Sequence, residues 1–160
     1  MDMSHSFKAA VNEALGGPII VADRFHFSRY IYWALERVRI RVQREFHEYD
    51  RKKCKRMRHI FYKANEKLTE KQRWYLERYL NMSPDLKKAY ELKEAYRKWF
   101  ELAKANGPNR LADTKERLYQ YYDLVKASGL KEYEKAIETF QNWQKEIMNS
   151  FAPLTYITAT

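Results

Sequence analysis

The sequence predicts a mainly α-helical protein with one or two short strands near its N-terminus. Only four Gly and four Pro occur among 160 residues, which is fewer than the turns of a sandwich or barrel need. From Phe27 onward, apolar residues recur at the spacing of one helix face. Before Phe27, one β-branched run has the length and composition of a strand.

The N-terminal region predicts a helix followed by a strand. Apolar residues at helical spacing indicate a helix over Ser4 to Leu15, and Gly16-Gly17-Pro18 ends it. The run Ile19-Ile20-Val21-Ala22 is then expected to be a buried strand of a parallel sheet, ending at Asp23.

The next segments predict three helices. The first is one long amphipathic helix from Phe27 to about Tyr49. Thr69-Glu70-Lys71-Gln72 is a capping box, which opens a second helix through Leu80. Ser83 followed by Pro84 is an N-cap signal, and the third helix is expected to continue to Ala105.

Two further helices complete the prediction. Asn106-Gly107-Pro108 separates the third helix from one over about Arg110 to Ala127, and Ser128-Gly129 ends that helix. The last helix covers about Leu130 to Phe151, and an irregular tail over 152–160 follows it. We interpret the aromatic and aliphatic stripes of these helices as core, because large apolar residues at helical spacing normally face inward.

Composition excludes several classes of protein. The mean hydropathy is −0.80 and no apolar run approaches the roughly 18 residues of a membrane span. The first ten residues do not resemble a signal peptide. Cys54 is the only cysteine, which excludes an intrachain disulfide and a cysteine-based zinc site. We therefore expect a cytoplasmic protein without a membrane partner.

Positive charge is concentrated in one region. The chain has a net charge of +10, and residues 37–73 hold fourteen basic and five acidic side chains, an excess of nine. Such a region is typical of a phosphate-binding surface, although a solvated helix face explains it equally well on charge alone. No base-reading motif accompanies it. The candidate DNA-binding residues are Arg37, Arg41, Arg44, Arg51, Lys52, Lys53, Lys55, Arg56 and Arg58.

Asp23 and His26 stand at the carboxyl end of the predicted strand, where functional groups of open α/β sheets gather. If the residues before Asp2 also form a strand, the two strands and the helix between them make a right-handed βαβ unit. Asp2 and Asp23 then share one sheet edge and are candidates to bind a divalent metal. The alternative is that Asp23 caps the following helix and that His26 bonds only to backbone.

Several segments resemble the DDE transposases of bacterial insertion sequences, specifically the ISL-three group. They are Met1-Asp2-Met3-Ser4, Phe7 to Val11 and, most specifically, Ile20-Val21-Ala22-Asp23-Arg24-Phe25-His26. Helical segments such as Leu68 to Gln72, Leu86 to Glu94 and Asn142 to Ile147 support the resemblance, which spans Asp2 to Phe151. It implies an RNase H-like core in which three acidic residues bind two Mg²⁺ ions. Such enzymes cut DNA and join its 3′ hydroxyl to a target.

The resemblance assigns roles to three residues. Asp2 matches the second acid of the triad, whereas Asp23 and His26 match the D-x-x-H signature that follows it. Both aspartates are candidate metal ligands, and we favour Asp2. The resemblance also divides the chain into the end of the catalytic core (1–26), a helical insertion domain (27–151) with the basic segment 37–73, and the tail.

The chain departs from the family pattern at both ends. The first triad acid belongs upstream of Asp2, and the tail from Ala152 to Thr160 contains no acid where the family places its final Glu. Removing members of a catalytic set that acts as a unit costs most of the rate. We therefore expect a transposase fragment, truncated at both ends, that binds the DNA backbone without transposing DNA alone.

Other interpretations stay open. The chain is either such a fragment or a free-standing basic helical module that binds nucleic acid or protein without catalysis. A third interpretation is a nuclease whose missing acids come from a partner chain. A sheet of one or two strands also has exposed edges, which predicts self-association or pairing with other transposase segments.

Overall fold

The computed structural model describes residues 20–152 and 157–159, and these are mainly helical as predicted. The expected helix over 4–15 and Asp2 lie outside the described residues. The described elements are strand β1 (Ile20–Ala22), helices α1 (Arg24–Gln43), α2 (Glu48–Arg56), α3 (His59–Tyr62), α4 (Glu70–Met82), α5 (Pro84–Asn106), α6 (Leu111–Ser128), α7 (Lys131–Asn142) and α8 (Gln144–Asn149), and strand β2 (Ile157–Ala159); short 3₁₀ turns cover Asn65–Lys67 and Gly107–Arg110.

Four helices form a bundle around one core. Helix α1 packs against α5 and α7, α5 packs against α6, and α6 packs against α7, so the four helices close into a ring. Inside the ring, the Tyr96 side chain of α5 lies 5.8 Å from that of Phe140 on α7 and 5.9 Å from that of Tyr121 on α6, measured between ring centres. Phe27 of α1 packs edge to face on Phe140 at 5.8 Å. The apolar stripes predicted from the sequence therefore meet in this core.

Local sequence signals set most helix boundaries. Thr69 and Gln72 form the predicted capping box at the start of α4, and Ser83 caps α5 by accepting a hydrogen bond from the backbone N–H of Leu86. Gly107 and Gly129, with φ of +55° and +71°, follow the ends of α5 and α6. A residue without a side chain adopts such positive φ values readily, and this explains why both helices end at glycine.

Two predicted helices are interrupted. The helix expected from Phe27 to Tyr49 ends at Gln43, and the chain turns before α2 begins at Glu48. This turn places the ring of Phe46 in a stack on Tyr79 of α4, 5.9 Å away. Likewise, the helix expected over Leu130 to Phe151 divides at Trp143, whose side chain is fully buried. In both places tertiary burial of an aromatic ring overrides the helical pattern.

The two strands lie next to each other in parallel. Ile20, Val21 and Ala22 of β1 pair with Ile157, Thr158 and Ala159 of β2. The expected strand is present, but its parallel partner comes from the tail, and the strand considered before Asp2 lies outside the described residues. Strand β2 lies in the segment that we expected to be irregular. Helix α8 packs against β1, so this small sheet rests on the end of the bundle.

No helix of the described residues has both the length and the apolar character that crossing a membrane requires.

Two leucines of α6 test how far the bundle depends on its core. Leu118 is fully buried and Leu124 is 54% exposed in the same helix. We expect Leu118→Ala to lower the free energy of unfolding by about 2–5 kcal/mol, because it leaves a cavity. The matched control Leu124→Ala should change it by less than about 0.5 kcal/mol. Urea unfolding followed by far-UV circular dichroism measures both, and equal losses would contradict the bundle core described here.

Candidate nucleic-acid interface

Helix α2 has exposed cations on one side and buried residues on the other. Asp50 and Cys54, four residues apart and therefore on one helix face, are buried. The outward-facing cations Arg51, Lys52, Lys55 and Arg56 are exposed. This basic segment is therefore a helix that displays four cations together.

An ion pair fixes α2 to α4. The carboxylate of Asp50, only 7% exposed, accepts hydrogen bonds from both the Nε and an Nη of Arg78, at 3.0 and 2.8 Å. These bonds from the Arg78 guanidinium hold the pKa of Asp50 below its usual range. A bidentate arginine–carboxylate pair fixes direction as well as distance, so it orients the outward face of α2.

Several candidate cations already have partners. Arg41 donates to Glu132 at 2.7 Å and to Asp85 at 3.0 Å, which raises its pKa and neutralises its charge locally. Lys52 pairs with Glu48 at 2.7 Å within α2. Arg58 donates to the backbone carbonyl of Lys55 at 3.1 Å. Of these, Arg41 is the weakest DNA candidate, because two carboxylates from distant helices compete for it.

The other exposed cations differ in this respect. Within the part of the chain that the structure describes, no carboxylate forms an ion pair with Arg37, Arg44, Arg51, Lys55 or Arg56. Three of them belong to α2. We call Arg51, Lys52, Lys55 and Arg56 the α2 cation face.

Arg39 shows that not every basic residue of the region faces solvent. Although it belongs to the basic region over 37–73, it is only 3% exposed. Its guanidinium binds the carboxylate of Glu36 and donates to the side-chain oxygen of Gln43 at 2.6 Å. Arg39 is therefore a buried, paired side chain within α1.

Aromatic side chains lie beside two further cations, one on α2 and one on α4. The ammonium of Lys53 lies 5.0 Å from the centre of the Tyr75 ring, and the guanidinium of Arg78 lies 5.9 Å from that of Trp74. Tyr49 and Trp74 are 64% and 58% exposed. They lie outside the stripes that we interpreted as core, and in the sequence only their neighbouring Lys and Arg residues hint at this surface.

Asp23 and His26 adopt the arrangement of a helix N-cap. The Asp23 carboxylate oxygen Oδ1 accepts from the backbone N–H of His26 at 3.1 Å, and the His26 Nδ1 lies 3.1 Å from the same oxygen. Asp23 directly follows β1, as expected, and begins α1. Arg24 donates to the backbone carbonyl of Ser150 at 2.6 Å, which fastens this start of α1 to the end of α8.

The described residues do not form a metal centre by themselves. No three carboxylate, histidine or cysteine side chains cluster as metal ligands in the described ranges. Asp23 is the one member of the predicted metal pair inside those ranges, since Asp2 lies outside them. The metal role of both aspartates stays a prediction.

A comparison with family models places the chain among known sequences. The model of a transposase family, the ISL-three group of DDE enzymes, matches residues 1–158. No curated protein and no solved structure shows a significant match to the chain.

The Asp50–Arg78 pair yields a pH-dependent prediction. Asp50→Asn should lower the unfolding free energy at pH 7 by about 1–2 kcal/mol, less than for a fully buried pair because Arg78 is partly exposed. The folded-state pKa of Asp50 is depressed, so this stabilisation is complete above the unfolded pKa of about 3.9. It is lost as the pH falls through the lower folded value.

Denaturant titrations from pH 7 to pH 2.5 measure this difference. The matched control is Asp123→Asn, which changes an exposed aspartate of α6. A stability difference between wild type and Asp50→Asn that stays constant down to the lowest pH would refute the role given to the pair.

Proposed function

The chain belongs to the ISL-three group of DDE transposases, whose family model matches residues 1–158, and we propose that its helical part binds the DNA backbone for the transposase. The observation that carries this proposal is the α2 cation face. It consists of four exposed cations on one short helix, fastened through Asp50 to Arg78. Lysine and arginine side chains displace the counterions condensed on DNA, so such a face favours phosphate contact in any sequence.

The proposal also covers residues 1–26, which we assign to the end of a catalytic core. Asp23 directly follows β1, and β1 pairs in parallel with β2. This placement supports residues 1–26 as the end of an RNase H-like core, with Asp2, Asp23 and His26 in its catalytic set. Transposases of this family generally depend on a divalent metal. The described residues alone do not form a metal site.

The proposal also names partners for this part of the chain. Among the described residues the sheet has two strands, and the outer edges of such a sheet carry backbone N–H and C=O groups that pair readily with a further strand. Other transposase segments or a second copy of this chain are the proposed partners at β1 and β2.

A second candidate is a free-standing helical module whose charges only face water. The ion pairs of Arg41 and of Lys52 favour it, since they neutralise part of the basic region within the chain. The two candidates differ in their response to salt.

DNA affinity measured across a salt series tests the α2 cation face. We expect wild-type protein to bind a 20-base-pair duplex, with the logarithm of the binding constant falling linearly as the logarithm of salt concentration rises. Replacing Arg51, Lys52, Lys55 and Arg56 together with Gln should flatten that slope by about 0.9 for each DNA phosphate that the variant no longer neutralises.

The matched control removes the same charge elsewhere. Lys126, Lys131, Lys135 and Lys145 are exposed lysines of α6, α7 and α8. Their replacement with Gln should leave the slope close to the wild-type value. Equal slopes for the two quadruple variants would mean that only the overall charge matters, and absent binding at low salt would favour the free-standing module.

A cleavage assay tests the catalytic part of the proposal. The 160-residue polypeptide by itself is expected to leave supercoiled plasmid intact in Mg²⁺, because only part of the implied acidic triad lies within it. Cleavage that disappears in both Asp2→Asn and Asp23→Asn would contradict this. Asn caps helices about as well as Asp, so Asp23→Asn removes the negative charge without removing the cap of α1.

A further inference from the structure

Two exposed aromatic rings lie on α2 and on α4, the helix to which α2 is fixed. Tyr49 lies on α2 four residues before Lys53, and residues at this spacing are neighbours on a helix surface. Lys53 in turn lies over the Tyr75 ring, and the centre of the Trp74 ring is 4.9 Å from that of Tyr75. A shallow groove lined by Glu48, Tyr49, Lys52, Lys53 and Arg56 runs along this side of α2. Tyr49 thus shares this groove with Lys52 and Arg56, and the contact between Lys53 and Tyr75 connects α2 with the Trp74 side of α4.

The Trp74 ring is anchored to the core by a chain of aromatic contacts. It meets Tyr75 edge to face with an interplanar angle of 88°. Tyr75 stacks on Tyr79 at 6.3 Å, and Tyr79 stacks on the buried Phe46 at 5.9 Å. A ring held in this way loses less conformational freedom when it binds a ligand than a freely rotating side chain does.

The position of Arg78 strengthens this anchoring. The Nε and one Nη of Arg78 donate hydrogen bonds to Asp50, and the guanidinium carbon Cζ lies 5.9 Å from the centre of the Trp74 ring. The same arginine therefore orients α2 and restrains Trp74. The exposed, restrained indole of α4 and the exposed cations of the adjoining α2 supply the two features with which proteins hold unpaired nucleotides, namely a stacking surface and phosphate partners.

We propose that Trp74 and Tyr49 stack on unpaired bases of DNA whose phosphates bind the α2 cation face. This inference rests on the proposed DNA binding and specifies the substrate: DNA with unpaired bases, in preference to a fully paired duplex. In a duplex both faces of each internal base are stacked on neighbours, so this surface contacts its phosphates without stacking on its bases. In a single strand the base faces are available, and stacking adds to the phosphate contacts.

Trp33 provides the matched control. It is 40% exposed on α1, and the apolar pocket beside it is lined by Arg29, Tyr32, Glu36 and Tyr62. The guanidinium of Arg29 lies 4.7 Å from its ring. Trp33 thus also has an exposed indole next to an arginine, but it adjoins Glu36 and lies on a different helix from the α2 cation face.

The experiment compares two DNA probes at one low salt concentration. Fluorescence anisotropy gives the Kd for labelled oligothymidine of 20 nucleotides and for a blunt 20-base-pair duplex. We expect Trp74→Ala to weaken oligothymidine binding about tenfold and duplex binding less than twofold, since stacking is lost only with the first probe. Trp74→Phe should recover most of the loss, and Trp33→Ala should match wild type with both probes.

The outcomes separate this inference from the function on which it rests. If wild-type protein binds neither probe, the proposed DNA binding itself fails. If it binds both probes with the salt dependence expected above, but Trp74→Ala changes neither Kd or changes both equally, the stacking inference is overturned while backbone binding stands. If Trp74→Ala also lowers the melting temperature, the Kd for oligothymidine divided by the Kd for the duplex is compared between Trp74→Phe and Trp74→Ala. A lower ratio for Trp74→Phe supports stacking, and equal ratios overturn it.

Discussion

The burial of Tyr96 is the constraint on which the rest of the structure depends. Its side chain is 1% exposed on α5 and reaches the three other helices of the bundle. The ring contacts Tyr121 and Phe140, and the hydroxyl shares a hydrogen bond with Ser28 of α1 at 2.6 Å. Burial raises the pKa of this hydroxyl above its usual range, so it stays neutral and able to bond. With α5 fixed, Ser83 sets where α4 ends, and Arg78 of α4 then sets the direction of α2.

A helix as basic as α2 needs anchors, because its cations repel one another and its apolar content is small. Asp50 supplies one anchor through Arg78, and the fully buried Cys54 supplies the other. Burial raises the pKa of the Cys54 thiol to about 11. A protonated, enclosed thiol acts as a small apolar side chain rather than as a nucleophile. The inward face of α2 is therefore structural, and its outward charge remains available to a ligand.

The sequence predicts best those helix boundaries that residues close together in the chain determine. The cap at Ser83, the capping box at Thr69 and the glycine ends at Gly107 and Gly129 depend on residues a few positions apart. The break after Gln43 does not follow from the local pattern, because it depends on Phe46 meeting Tyr79 of another helix.

In the candidate interface too, the sequence shows the local features but not the contacts between residues far apart in the chain. The concentration of charge over 37–73 was visible in the sequence, but the pairing of Arg41 was not, since its carboxylate partners Asp85 and Glu132 lie 44 and 91 positions away. The exposure of Trp74 was equally hidden, since a tryptophan in a helix is more often buried. The metal role of Asp2 and Asp23 stays a prediction, because Asp2 lies outside the described residues.

Buried charge then explains how the segment α2–α4 keeps its place on the bundle. The fully buried Lys93 of α5 donates to the backbone carbonyl of Lys63 at 2.9 Å and pairs with Glu94 at 2.8 Å. Burial lowers its pKa, whereas Glu94 opposes that shift. A buried ion pair adds little net stability, because desolvation offsets most of the attraction. Its effect is directional, because the bond to the Lys63 carbonyl fixes where that turn meets α5, and Arg97 with Glu66 adds a second polar contact nearby at 2.9 Å. An apolar contact of equal area would tolerate sliding, and sliding would disperse the row of cations and aromatic rings on which the proposed DNA binding depends.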